Sequence, residues 1–375
     1  MNGNTVIHYK NLEVRVSSET DDEINDLLSS TIVGSEGGMQ YTMRNIPARI
    51  ANYGNSIRLV SLIRNFSLAA VIGVCYRECS LGGTLHNCVY LRFLSFRQQY
   101  QTGRVVHNSA HEVHQQQEGD SFRNQTLGFF RKPHLFGFQS IDEKGKSILY
   151  AFVESKNERS KNLIQKTGYE YIRSFLTMAF SRFNPRPDIR VSVASMSEYS
   201  EISAELRTFY KDYSFYFDQF AFHNDSYYVL RESGRIVAGV SAVPTEYVIK
   251  NVPGVWGWIM MRVLPFTPFF RRLFEPGLFR FISLGSIFYL PGREDALAPL
   301  FESVCAATGL NTCLTWADDR GPLYDALRTR VKMGALNRIL NAKPGLVYAR
   351  FINYTEEEKE PFYDAPAFIA GFDFS

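Results

Sequence analysis

The chain has 375 residues, 45% of them apolar and 14% aromatic, and carries a net charge of +3. That length fills two ordinary domains, and so small a charge gives no basic face of the kind that nucleic acid requires. The polar opening MNGNTVIHYKNLEVRVSSETDD lacks the basic and apolar regions of an export signal, so the cytoplasm is the expected compartment.

Taken in chain order, NTVIHYKN and LEVRVS predict opening strands, and SETDDEINDLLSSTI, with acidic residues in its first turn, predicts a helix. SIRLVSLIRN, SLAAVIGVCYREC and NCVYLRFLSF, separated by Asn65 and Gly82-Gly83, predict an antiparallel meander. After Phe96 a polar loop with one glycine leads into a helical pattern that puts Val106, Ala110 and Val113 on one face. His107, His111 and His114 fall on a flank about 100° from that face, where exposure and no metal are expected. Residues 119–146 lack periodicity and are expected to form an insertion or a mobile segment near the site. SILYAFVE predicts a buried strand, Asn157 to Thr167 a helix stopped by Gly168, and YEYIRSFLTMAF a further strand.

Two prolines in FNPRPD mark a linker, and a second unit starts there. IRVSVASM predicts a strand, SEYSEISAELRTFYKDY a helix, DSYYVLRESGRIVAGVSAVP a hairpin turning at Ser233-Gly234, and FRFISLGSIFYLPG another strand. REDALAPLFESVCAATG and RGPLYDALRTRV read as helices, and LNTCLTWAD and GLVYARFINY as strands. The order repeats that of the first unit without a residue-level match. Two units, 1–182 and 188–375, are therefore expected, of α/β (α+β) class. Between the strands, VWGWIMMRVLPFTPFFRRLF holds Arg262, is broken by Pro265 and Pro268, and closes on Arg271 and Arg272. That is no spanning helix. It predicts two short amphipathic pieces that cover a core or groove or touch a membrane surface. The five cysteines, Cys75, Cys79, Cys88, Cys305 and Cys313, form no CxxC pair and are expected reduced and structural.

The stretch ESKNERSKNLIQKTGYEY carries the most specific pattern: Asn157, Ser160, Leu163, Ile164, Gly168 and Tyr169 in that order, after a meander, a strand, a glycine loop, a helix and a strand. This order resembles the GNAT N-acetyltransferase superfamily. The resemblance implies two GNAT-like lobes, each a mixed, mostly antiparallel sheet flanked by helices, with a degenerate second lobe that does not bind the co-substrate. It implies acetyl-CoA as co-substrate, an amine of a small molecule or peptide as acceptor, and Asn157 and Ser160 near the pantetheine and phosphate region. In the glycine loop YQTGRV, Tyr100, Gln101, Thr102, Gly103, Arg104 and Val105 would cradle the pyrophosphate through backbone N–H groups. Only Gly103 is conventional there. The pantetheine arm would lie along YLRFLSF, beside Leu94 and Ser95.

By the same resemblance a carboxylate is expected on the strand before the loop, yet CVYLRFLSF has none. Tyr90 and Arg92, on one face of it, are the candidate catalytic residues. Ile164 stands where the family often has a tyrosine, so the leaving thiolate would take its proton from water. The second unit offers LPGREDA and Asp319 or Arg320 at the equivalent places, without a run of exposed amides. Two other readings stay open: an aminoacyl-tRNA-dependent aminoacyltransferase with two such lobes, and a non-catalytic acyl-CoA-binding or protein-binding module.

Overall fold

Runs of β-branched and aromatic residues build most of the computed structural model, which describes residues 5–9, 12–35, 37–64, 66–98, 128–129, 131–340 and 343–375. The first half supplies β1 (Thr5–Tyr9), β2 (Leu12–Ser17), β3 (Gln40–Met43), β4 (Ile57–Arg64), β5 (Ser67–Leu81), β6 (Thr84–Phe96), β7 (Ser147–Glu154) and β8 (Glu170–Ser181). The second supplies β9 (Val191–Val193), β10 (Tyr227–Glu232), β11 (Arg235–Asn251), β12 (Phe279–Tyr289), β13 (Thr312–Asp318) and β14 (Gly345–Ile352). They form one sheet in the order β1-β2-β4-β5-β6-β7-β14-β8-β13-β12-β11-β10-β9, with β3 added on β11.

The pairing is antiparallel except at β6–β7 and β12–β13. Those two parallel contacts are equivalent places in a repeated arrangement. In one half β4, β5 and β6 lead to β7; in the other β10, β11 and β12 lead to β13. The halves then exchange strands: β14, from the end of the chain, lies beside β7, and β8, from the first half, lies beside β13. YEYIRSFLTMAF thus closes the sheet of the second half, an arrangement invisible to periodicity because a strand's own residues do not name its neighbour.

Among the described residues the helices are α1 (Asp22–Ser30), α2 (Ile46–Ala51), α3 (Glu158–Lys166), α4 (Tyr199–Phe209), α5 (Gly254–Arg262), α6 (Pro268–Arg271), α7 (Leu297–Thr308), α8 (Pro322–Arg330), α9 (Ala335–Leu340) and α10 (Glu356–Asp364). Local chemistry explains their ends. The Asp21 carboxylate accepts the Ile24 N–H of α1 at 2.8 Å, and Thr355 and Glu358 form a capping box on α10. The Val255–Phe274 stretch forms α5 and α6, and no helix among the described residues is long and apolar enough to cross a membrane.

Of the two expectations for 119–146, an insertion or a mobile segment, the described part from 128 onward favours a packed insertion. Phe129, Phe136, Phe138 and Ile141 are buried with Val14, Val60 and Leu149 on one face of the first half's sheet. Irregular backbone hid a packed segment, because periodicity reports regular elements only. The opposite face carries the largest core, which joins both halves: Tyr53, Tyr90 and Tyr150 from the first meet Phe215, Tyr247, Trp316 and Phe372 from the second. All five thiols are buried and free.

Candidate functional site

Parallel pairing of β6 and β7 runs from Cys88↔Ile148 to Leu91↔Ala151 and stops there. Both strands continue, β6 to Phe96 and β7 to Glu154, so they part like the arms of a V. The parting has a local cause on β6: Phe93 and Leu94 stand opposite the single Ile72 of β5, and Phe93 takes a φ of +56°. Such a bulge bends its strand and leaves backbone groups out of the ladder. Beyond Leu91 the edge of β6 that faced β7 has no strand partner among the described residues.

A cavity of about 890 Å³ occupies this gap. Its lining spans both sides of the sheet. Leu91, Val153, Ile164 and Tyr169 belong to one packed face, whereas Tyr90, Phe152, Tyr247 and Trp316 belong to the other. Helix α3 borders the first side with Asn157, Ser160, Leu163 and Ile164. The Asn157 side-chain oxygen Oδ1 accepts the Ser160 N–H at 3.0 Å, so this residue caps α3 while bordering the gap. Gly168, at φ +84°, ends the turn that leads α3 into β8. Lys156, Arg338 and Lys343 add positive charge along the lining.

On the second side, residues distant in sequence converge. Tyr41 stacks on Tyr247 at 4.2 Å between ring centres, and Phe374 stacks on Trp316 at 4.1 Å. The Tyr247 hydroxyl donates to the Phe374 carbonyl. Asp373 pairs with Arg77, and both side chains are fully buried. Arg77 donates further to Tyr150 Oη at 2.8 Å and lies over the Tyr90 ring at 4.7 Å. Burial, and after it the Asp373 carboxylate, raises the Tyr90 pKa well above that of an ordinary phenol, so Tyr90 is protonated at neutral pH. Arg92 lies over Phe93 at 3.7 Å and Tyr53 at 4.9 Å, and burial lowers its pKa to about 10.

The equivalent gap in the second half has the same construction and a different content. Parallel pairing of β12 and β13 covers only Ile282↔Cys313 and Ser283↔Leu314. Ser286 and Ile287 then bulge opposite Val240, and Ser286 has a φ of +43°. Here the chain's last segment fills the opening: Ser283 Oγ donates to the Gly371 carbonyl at 2.6 Å. The approach is so close that a Cβ on Gly371 would meet the Leu284 carbonyl at 2.2 Å. Asp318, at the end of β13, is held by Arg173 at 2.8 Å and by the Ala367 N–H at 2.8 Å. Asp319, expected with Arg320 at the place equivalent to Asn157, accepts the Ser174 hydroxyl.

Of the residues singled out in the sequence, Tyr90, Arg92, Leu94, Ser95, Asn157 and Ser160 all border the first gap. Tyr100 to Val105 and the three histidines lie outside the described residues. Tyr41, Tyr247, Trp316, Asp373 and Phe374 also border the cavity and went unnoticed. No local signal marks them, since their proximity depends on β3 joining β11 and on the last segment folding back.

No protein-family model matches the chain, and no curated protein sequence matches it. Solved structures do. N-myristoyltransferase of Saccharomyces cerevisiae with bound myristoyl-CoA superposes with a TM-score of 0.58 at 8% identity, over 98% of this chain and 90% of that one. A second structure of that enzyme, with myristoyl-CoA and inhibitors, gives 0.55 at 9% identity over 93% and 81%. A GCN5-related N-acetyltransferase from Sphaerobacter thermophilus aligns over 78% of this chain and 80% of its own at 13% identity, with a TM-score of only 0.41. The chain shares the fold of the S. cerevisiae N-myristoyltransferase, a mixed α/β arrangement around a large, mostly antiparallel sheet.

Proposed function

We propose that this chain is a two-lobed acyl-CoA-dependent N-acyltransferase of GNAT type whose first lobe alone takes the co-substrate. One observation carries the reading: of two gaps built alike, the first is open and the second is filled by the protein's own Gly371 segment. The unpaired edge of β6 suits the amides of a pantetheine arm, which would add there like a strand. The Asn157 amide N–H₂ is left over from capping and can donate to it. Lys156, Arg338 and Lys343 suit the phosphates. The sequence units 1–182 and 188–375 then act together, since both border the cavity.

Acyl-CoA supplies an activated thioester. The chain's part is to hold a neutral amine against it in a reactive geometry, which accounts for much of the rate in such transfers. The amine nitrogen bonds to the acyl carbon, the C–S bond breaks, and the proton lost by the amine ends on the CoA thiol. Backbone N–H groups freed by the bulge at Phe93 and Leu94 are suitably located to steady the developing oxyanion. Burial favours the protonated form of Tyr90, which suits it to holding a water, and Asp373 is occupied by Arg77, so in this reading water carries the proton. Acetyl-CoA is the smallest donor. The apolar lining by Phe152, Phe175 and Trp316 also supports longer acyl chains, like the myristoyl group carried by the S. cerevisiae enzyme's ligand.

Calorimetry on the full chain with acetyl-, octanoyl- and myristoyl-CoA is expected to give one site per chain. Two equivalent sites, or none for any chain length, would remove this reading. Asn157→Asp tests the contact on α3: the cap survives, the N–H₂ donor is lost, and a negative charge enters beside an anionic ligand. The melting temperature is expected to hold while acyl-CoA binding weakens by about 1–3 kcal/mol. Unchanged affinity would leave Asn157 as a cap only.

A further inference from the structure

A second feature of the cavity, resting on the N-acyltransferase reading, concerns the acceptor. Arg92 is 9% exposed, borders the cavity, and makes no hydrogen bond or ion pair among the described residues. Its Nη1 is buried without a partner, while the guanidinium lies over the rings of Phe93 and Tyr53. Behind Tyr247 stands Arg49, 8% exposed, whose Nε and Nη2 donate to the carbonyls of Arg44 and Glu246 at 2.8 and 2.9 Å. Its Nη1 is also buried and unpartnered.

The only carboxylate among the described residues that both borders this side of the cavity and is fully buried, Asp373, is already committed to Arg77 and to the Tyr53 hydroxyl. Three guanidiniums therefore share one carboxylate. A buried charge left in this state is unfavourable unless an anion completes it. A planar guanidinium with free N–H groups matches a carboxylate in particular, which it can hold by two parallel bonds.

We propose that Arg92 receives the carboxylate of the acceptor, and that the acceptor is an amine bearing a carboxylate, such as a free amino acid. The location separates this role from that of the CoA phosphates. Arg92 packs with Tyr53 on the side that Tyr247 and Trp316 occupy, whereas α3 and Ile164 border the other side. The CoA moiety would then enter from the α3 face and the acceptor from the other, while a long acyl chain crosses the gap toward Phe152 and Trp316. The same carboxylate chemistry is available at the far end of a dicarboxylic acyl-CoA, so the test keeps the two sources apart.

The experiment uses the full chain and starts with acyl-CoA binding by calorimetry. Glycine, phenylalanine and glutamate are then compared with their amides, as acceptors with acetyl- and octanoyl-CoA, and as ligands in the presence of a non-transferable thioether analogue. Acids are expected to exceed amides in kcat/KM by at least about 30-fold, since a site with an unpaired buried cation discriminates strongly against a ligand that cannot complete it. Arg92→Gln is expected to erase that preference through KM, leave the acyl-CoA Kd unchanged, and keep a melting temperature no lower than that of the parent. Arg92→Lys should restore part of the preference. Equal use of acids and amides would overturn the proposal. So would tighter, Arg92-dependent binding of succinyl-CoA over butyryl-CoA, which would place the carboxylate on the donor. Failure of every acyl-CoA to bind removes the acyltransferase reading instead, while Arg92-dependent amino-acid binding would still uphold the anion site.

Discussion

Asp373→Asn is expected to destabilise the protein by about 3–5 kcal/mol, read as a fall in the denaturant midpoint, because it strands a charge inside the core. Arg77 and Asp373 have no exposed side-chain surface, and the Arg77 Nη1 donates to Asp373 at 2.9 Å. In the parent, Asp373 and Tyr150 raise the Arg77 pKa well above the ordinary value against burial, and without that carboxylate a guanidinium still keeps its proton. Asparagine keeps the volume and one acceptor, yet presents an N–H₂ to a guanidinium that is already all donors. The pair also joins strand β5 to the last segment, which fills the second gap, so its loss should loosen Gly371 from Ser283. Replacing both partners, Arg77→Met with Asp373→Leu, is expected to recover most of the loss, since apolar residues of similar size remove the desolvation problem. A loss below about 1 kcal/mol for Asp373→Asn would show that the ion pair is not what holds the segment in place.

The sequence revealed those parts of the fold and site that depend on neighbours along the chain. Alternation in β4, β5 and β6 announced the meander, and the order Asn157, Ser160, Gly168 announced a capped helix followed by a glycine stop, both set by local hydrogen bonding. Tyr90, Arg92, Leu94 and Ser95 were placed beside the gap for the same reason, because the strand pattern of β6 locates them. What stayed hidden depends on partners remote in sequence. Nothing in YEYIRSFLTMAF says that it will lie beside β13, and nothing in GFDF says that it will cross Leu284 closely enough to require a glycine. A segment from the end of the chain, bonded beside the second gap, takes that place only in the folded chain.

Filling the first gap as the protein has filled the second should have the same effect. Ala151 is the last residue of β7 paired with β6, is 6% exposed, and borders the cavity where the strands part. Its side chain shares a face with Leu149 and Val153, the side that α3 borders. Ala151→Phe would put a ring where the pantetheine arm is proposed to enter. Acyl-CoA affinity is expected to drop at least about 100-fold, or about 2.7 kcal/mol, while overpacking destabilises the fold by about 1–3 kcal/mol. A control separates the two effects: Leu297→Ala, in α7 among the second half's core, should destabilise by about 2–5 kcal/mol. Leu297 does not border the cavity, so acyl-CoA affinity should stay within about twofold of the parent. If the phenylalanine variant binds acyl-CoA as tightly as the parent, the co-substrate does not enter between β6 and β7, and the open gap loses its assigned role.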